Sequence, residues 1–334
     1  MGPVYGAVMC GNVRMSHLPL EPSGVRRRVE PMENFDDPEG LQDEAFLPLH
    51  QGGKRSTVLI AAFEGWNDAG EAASDTIKFL SKAWHARKVS VLEPDDYYDF
   101  QFTRPTVRTT GSGERRLRWP GTRIHQASIP GVPVDAILVS GVEPSYRWRA
   151  FTAEILAQAE ELGVDRVVLL GALLADVPHT RPLPVTVTTD DRALQERLNL
   201  EPSTYQGPTG IVGVLGDLAR LAGLPAISLW ATVPHYVAQS PSPKAQLALL
   251  HRIEELLQIP LDPGDLVEDA EAWERGVNEL SSEDPDIAGY VRQLEEATDT
   301  AELPEASGES IAREFERYLR RRGKGNGHPH ADPS

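Results

Sequence analysis

The chain has 334 residues, 40% of them apolar, ample for a large buried core. Its formal net charge is −17, and from Glu254 to Arg322 there are 20 acidic against 7 basic residues, which excludes a nucleic-acid or anionic-membrane surface on that region. The single cysteine, Cys10, allows no intrachain disulfide and fits a reducing cytoplasm, and no apolar run approaches the ~20 residues of a membrane span.

Residues 1–54 lack hydrophobic periodicity and carry Arg26-Arg27-Arg28, Pro31 and Asp36-Asp37-Pro38. They are expected to be a disordered extension, and Met1–Val13 lacks the basic start of a signal peptide. From 55 to 258 the pattern alternates. Apolar runs of strand length lie at Val58–Phe63, Lys88–Leu92, Ala136–Ser140, Val167–Leu174, Val185–Thr188 and Ala226–Val233. Helical patterns lie at Asp68–Trp84, Arg149–Leu162, Asp190–Leu198, Thr209–Ala222 and Lys244–Leu257. Near-continuous apolar strands between helices predict a mostly parallel sheet covered on both faces, a three-layer α/β/α fold. The Thr- and Arg-rich stretch Tyr97–Ile129 breaks the rhythm and reads as an extended hairpin. Residues 259–322 form an acidic helical extension. Leu266, Ala270, Trp273, Val277 and Leu280 make one stripe of an amphipathic helix; Ile287, Tyr290, Val291 and Leu294 make another, and Ile311–Leu319 a last one. The Gly-, His- and Pro-rich tail 323–334 is expected to be disordered.

In an open α/β sheet, ligands bind beyond the carboxyl ends of the strands. The first such turn, Glu64-Gly65-Trp66-Asn67-Asp68, crowds an aromatic, an amide and two carboxylates together. Asp68 is placed to cap the following helix, with Glu71 as its capping-box partner. Further strand-end segments carry Glu143 and Trp148, then Asp176, His179 and Arg181, then His235. Tyr205, Gly207, Thr209 and Gly210 precede a helix, where free N–H groups suit an anion such as phosphate or carboxylate; tight packing explains the same glycines equally well. His179 and His235 titrate near neutrality and are the candidate acid/base groups. The convergent polar groups define a candidate cleft of Glu64, Trp66, Asn67, Asp68, Glu143, Trp148, Asp176, His179, Arg181, Tyr205 and His235. Helix capping by Asp68, and core packing of Trp66 and Trp148, are the plainer readings of those residues. No phosphate-binding lysine loop, nucleophile elbow or zinc spacing is present, so no cofactor or metal is indicated.

Taken in order, Glu64–Gly70, Gly141-Val142-Glu143-Pro144, Gly171-Ala172 with Asp176–Arg181, Tyr205–Gly210 and Val233–Tyr236 resemble the proteasome assembly chaperone 2 family in its actinobacterial form, over about residues 56–300. The resemblance implies a fold similar to the nucleoside phosphorylase and peptidyl-tRNA hydrolase folds. It also implies a homo-oligomer, such as a trimer, and a proteasome-related partner. Proteasome-binding relatives typically end in a hydrophobic–tyrosine–any tripeptide. This chain ends Ala331-Asp332-Pro333-Ser334, and Arg317-Tyr318-Leu319 is internal. Two functions are therefore carried forward: a chaperone-like protein acting through protein contacts, and a small-molecule binder or hydrolase/transferase-type enzyme taking a nucleoside-like or carboxylated ligand.

Overall fold

The computed structural model describes Phe46 and residues 55–200, 202–203, 205–237 and 241–302. The expected extension before 55, apart from Phe46, and the expected helix and tail beyond 302 lie outside the described residues. The strands are β1 (Ser56–Glu64), β2 (Arg87–Val91), β3 (Thr106–Thr109), β4 (Arg115–Arg118), β5 (Arg123–Ser128), β6 (Val134–Val142), β7 (Arg166–Ala175), β8 (Val185–Thr188) and β9 (Ala226–Pro234). The helices are α1 (Ala72–Ala83), α2 (Trp148–Glu161), α3 (Arg192–Leu198), α4 (Ile211–Leu221), α5 (Pro243–Leu257), α6 (Leu266–Glu283) and α7 (Pro285–Glu302).

Seven strands form the main sheet in the order β2-β5-β6-β1-β7-β9-β8. Strands β6, β1, β7 and β9 run parallel, while β5 and β8 reverse. Strand β1 explains itself: it is central, so all but its last residue are buried, and its apolar run is unbroken. Alternate residues of a strand point to opposite faces. Ile60 and Ala62 therefore join α1 (Ile77, Leu80) and α5 (Leu249, Ile253) in one core layer. Leu59, Ala61 and Phe63 join α2 (Phe151, Ile155) and α4 (Ile211, Leu215) in the other. These are the three layers expected. Phe46, from the segment expected to lack structure, is 1% exposed and packs in the first layer.

Three local expectations differ. Helix α1 starts at Ala72, because a single 3-10 turn (Ala69–Glu71) intervenes after Asp68, with Gly70 and Glu71 at positive φ. The stretch Tyr97–Ile129 contains the expected hairpin, β3 with β4, but also β5, which enters the main sheet antiparallel beside β6. Its sequence, Arg-Ile-His-Gln-Ala-Ser, buries only Ile124 and Ala127, too few for an apolar run to show. On α6 the buried stripe runs Leu266, Ala270, Val277, Ser281, and Leu280 is 64% exposed. Four residues past Val277 is closer to one helical turn than three, so the polar Ser281 takes the inner place.

Near the carboxyl end of β6 the backbone of Gly121-Thr122 crosses close to Gly141. A Cβ at Gly141 would lie 2.6 Å from the Gly121 carbonyl oxygen and 2.7 Å from Thr122 Cα. The crossing is tied by the Tyr98 hydroxyl, which donates to the Val142 carbonyl (2.8 Å) and lies 2.8 Å from Thr122 Oγ1. Backbone cannot yield as a side-chain tip can. Gly141→Ala is expected to lower stability by about 1–3 kcal/mol in urea unfolding, while Gly111→Ala, which meets nothing within 4 Å, stays within about 0.5 kcal/mol.

Candidate functional site

The chain leaves β1 at the centre of the sheet, first to the β6 side and then to the β7 side, so the end of β1 is the switch point where a crevice opens. The turn there is built as a junction. Gly65 sits at φ 126°, a conformation that favours glycine. The Asn67 carbonyl accepts from Ala172 N on β7 (2.8 Å), and the Glu64 carbonyl accepts from Glu143 N after β6 (2.9 Å). The Asn67 side-chain amide donates to Glu143 Oε1 at 3.0 Å, and the same oxygen accepts the backbone N–H of Ile211, the first residue of α4, at 2.8 Å. Gly210 has no side chain because a Cβ there would lie 2.0 Å from Asn67 Nδ2. The positive end of α4 thus already faces a carboxylate, Glu143 of the chain itself. In the loop before it, the Tyr205 hydroxyl donates to the Pro208 carbonyl (2.7 Å) and lies over Gly207, while Thr209 Oγ1 fills the space beside Gly213.

Asp68 does cap α1, but not as a capping box. Its Oδ1 accepts from Ala73 N (2.8 Å) and Ser74 N (3.1 Å) across the intervening 3-10 turn, and the Asp68 N–H is held by the Gly65 carbonyl rather than by Glu71. Burial holds the Asp68 carboxyl above the ordinary carboxylate range against these hydrogen bonds.

Beside this junction an apolar cavity of about 860 Å³ is lined by Trp66, Asn67, Leu173, Leu174, Tyr205, Gly210 and Trp230, among others. Four of its large apolar side chains face solvent: Trp66 is 65% exposed, Tyr205 67%, Leu174 55% and Leu173 42%. Leu173 and Leu174 end an apolar run whose pattern suggested burial throughout, but β1 pairs with β7 only over Arg166–Leu169, with a last bridge at Ala172, and the residues beyond it are not buried. Glu64 and Asp68 instead line a different cleft, beneath the β3–β4 hairpin.

The remaining candidates engage the C-terminal helices. His179 is fully buried. Its Nε2 faces Asn278 Oδ1 of α6 at 3.1 Å and its Nδ1 the Tyr236 hydroxyl at 2.8 Å. Donation by Nε2–H to the amide oxygen and by Tyr236 O–H to Nδ1 satisfies the neutral ring. Burial pushes the His179 pKa down and the Tyr236 phenol up to about 12. The His179 carbonyl accepts from Lys244 Nζ, which also pairs with Glu274 of α6. Arg181 grips Asp299 of α7 with two bonds of 2.8 Å, and Thr180 donates to Glu295. Asp176 Oδ1 accepts from the Tyr290 hydroxyl at 3.0 Å and pairs with His235 Nδ1 at 3.0 Å. The rings of His179, His235, Tyr236 and Tyr290 meet edge to face at 5.5 to 6.0 Å. Asp176, His179, Arg181 and His235 are therefore arranged as a clasp on α6 and α7. Trp148 lies apart, donating to the Pro144 carbonyl (2.7 Å) and packing in the α2–α4 layer.

Among the described residues no group of three or more His, Cys, Asp or Glu is placed to hold a metal ion, and no helix is long and apolar enough to cross a membrane. Four residues of the hairpin cleft escaped the sequence reading: Arg104, Arg108, Arg118 and Arg123. The arginine density of Tyr97–Ile129 was their one signal.

The PAC2 family model matches residues 62–281. A PAC2 family protein from Streptomyces avermitilis is 51% identical over 71% of this chain and 100% of its own, with a TM-score of 0.67. The proteasome-assembly chaperone homologue of Mycobacterium tuberculosis is 46% identical over 70% of this chain and 99% of its own, with a TM-score of 0.65. An archaeal proteasome activator of Pyrococcus furiosus shares the fold at 17% identity, covering 69% of this chain and 96% of its own, with a TM-score of 0.55. No curated protein matches.

Two measurements check this geometry. Glu143→Ala leaves the Asn67 amide and the Ile211 N–H without their acceptor, at an expected cost of about 1–3 kcal/mol in denaturant unfolding. In a double-mutant cycle with Asn67→Ala the losses are expected to be less than additive. The buried His179 is protonated more readily in the unfolded chain, near the ordinary imidazole pKa of about 6.5. Its contribution is then complete above that pH and is lost as the pH falls below it. Thermal melts between about pH 7 and 5 are expected to drop more steeply in wild type than in His179→Gln, and superimposable profiles would refute the assignment.

Proposed function

This chain belongs to the PAC2 family, and from that premise we propose that it acts as a chaperone-like protein on a proteasome-related partner, through protein contacts rather than catalysis. The observation that carries the reading is the exposed apolar cavity at the strand ends. Trp66, Leu173, Leu174 and Tyr205 stand in solvent around one depression, and clustered exposed apolar surface marks interaction sites. Trp and Tyr are also the residue types that most often dominate binding energy when a partner buries them. The M. tuberculosis relative, described as a proteasome-assembly chaperone homologue, supports the choice of partner. In this reading the protein works in the cytoplasm as a homo-oligomer, such as a trimer, with the cavity turned to the partner.

The enzymatic alternative is less well supported. Its acid/base candidates, His179 and His235, are engaged with Tyr236, Asn278 and Asp176, and Arg181 is engaged with α7. They stand apart from Trp66 and Tyr205, which line the open cavity.

The test is co-purification of the tagged chain with proteasome subunits from the same organism. Wild type is expected to enrich them, and Trp66→Asp with Leu174→Asp to reduce enrichment by about tenfold or more while leaving the thermal midpoint unchanged. No enrichment by wild type would overturn the reading. Enrichment that survives both substitutions would move the contact away from this cavity.

A further inference from the structure

The largest of the cavities described, about 1150 Å³, lies under the β3–β4 hairpin. Its floor is the carboxyl end of β1 and β6 with the face of α1 that carries Ser74 and Lys78, and its roof is the hairpin. The pairing Thr106 with Arg118 and Arg108 with Arg116 puts these four residues on one face of the ribbon. Arg108 and Arg118 line the cleft from it, joined by Arg104 before the hairpin and Arg123 on β5. The other face carries Val107 and Leu117, 51% and 60% exposed.

The charges in this cleft are not balanced. Lys78 meets Asp75 at 2.9 Å and Glu64 at 3.6 Å, Asp68 is committed to the α1 backbone, and Glu71 lies at the α1 end. The guanidinium groups of Arg104, Arg108, Arg118 and Arg123 make no ion pair or hydrogen bond among the described residues. Arg116, their neighbour on the ribbon, is satisfied by Glu114 at 2.7 Å. His125, also lining the cleft, is held below the ordinary imidazole pKa first by burial and then by the positive charges of Arg123 and Lys88. In a chain with a net charge of −17, four guanidinium groups with no partner among the described residues thus line one cavity, Arg123 part-buried and the other three exposed. Like charges brought together repel unless an anion lies between them. The planar donor fork of arginine matches phosphate oxygens two at a time.

We propose that this cleft is a binding site for a small polyphosphate-bearing molecule, with Arg104, Arg108, Arg118 and Arg123 holding its phosphate oxygens. Trp119 stands at the rim, 48% exposed and packed edge-on against Phe100 at 4.9 Å, so its ring is available to the non-phosphate part of the ligand. This site lies on the other side of the β1 turn from the apolar cavity, and the proposal does not rest on the proteasome-directed reading.

The test is titration calorimetry of the full chain with inorganic triphosphate and with ATP, at about 50 and 300 mM salt. Both are expected to bind, more weakly at the higher salt because exposed charges are screened. The double variant Arg108→Ala/Arg118→Ala is expected to bind at least about tenfold more weakly. Arg115→Ala, on the outer face of the ribbon, should bind as wild type does. Tighter binding of ATP than of triphosphate would add the Trp119 ring to the site; equal binding would assign recognition to the phosphates alone. Failure of triphosphate to bind wild type, or equal weakening by Arg115→Ala, would overturn the proposal. So would a double variant that changes only the assembly size in gel filtration and not anion binding, since the arginines would then serve a protein contact.

Discussion

The arrangement of the strand ends depends on one part-buried contact, the Asn67 amide against the Glu143 carboxylate, which also receives the first N–H of α4. One carboxylate oxygen joins the turn after β1, the segment after β6 and the start of α4, while the Asn67 carbonyl reaches β7. The contact also decides what the neighbouring glycines are for. Gly210 makes room for the Asn67 amide, and a helix start that resembles an anion site in isolation is completed by the chain's own acid. A carboxylate already facing the helix dipole competes with any external anion there.

The same economy governs the segments after β7 and β9. Asp176, Thr180, Arg181 and His235 are polar residues at strand ends, where catalytic groups are usually found. Here they hold Tyr290, Glu295 and Asp299 of α7, and His179 holds Asn278 of α6. Helix α6 presents few apolar residues to α5, with only Leu266, Ala270 and Val277 buried. A narrow apolar stripe gives little stabilisation to a helix otherwise rich in acid, so the directed contacts of Asn278 and Glu274 with His179 and Lys244 help fix its place, while the edge-to-face rings reach α7 through Tyr290.

Removing those residues from the cleft leaves the strand-end surface divided by chemistry. On one side of the β1 turn stand the exposed Trp66, Leu173, Leu174 and Tyr205 around an apolar cavity. On the other lies the arginine-roofed cleft. The turn after β1 supplies Gly65 to both cavities, Glu64 and Asp68 to one and Trp66 and Asn67 to the other.

The amino-acid sequence alone determined the layered α/β fold, because burial on both faces makes β1, β7 and β9 continuous apolar runs and amphipathic periods mark α1 to α6. It placed the polar turns at the strand ends and Asp68 as the cap of α1. It did not show β5, whose alternation is carried by Ile124 and Ala127 alone, nor the register that turns Arg108 and Arg118 to the same face. Above all it did not show which polar residue meets which. The partners of His179 and Arg181 lie 99 and 118 residues away, and no local pattern encodes a pairing at that separation. A histidine that closes a helix contact and one that moves protons read alike along the chain. Only the tertiary structure, by bringing α6 and α7 back across the ends of β7 and β9, showed what His179 and Arg181 meet.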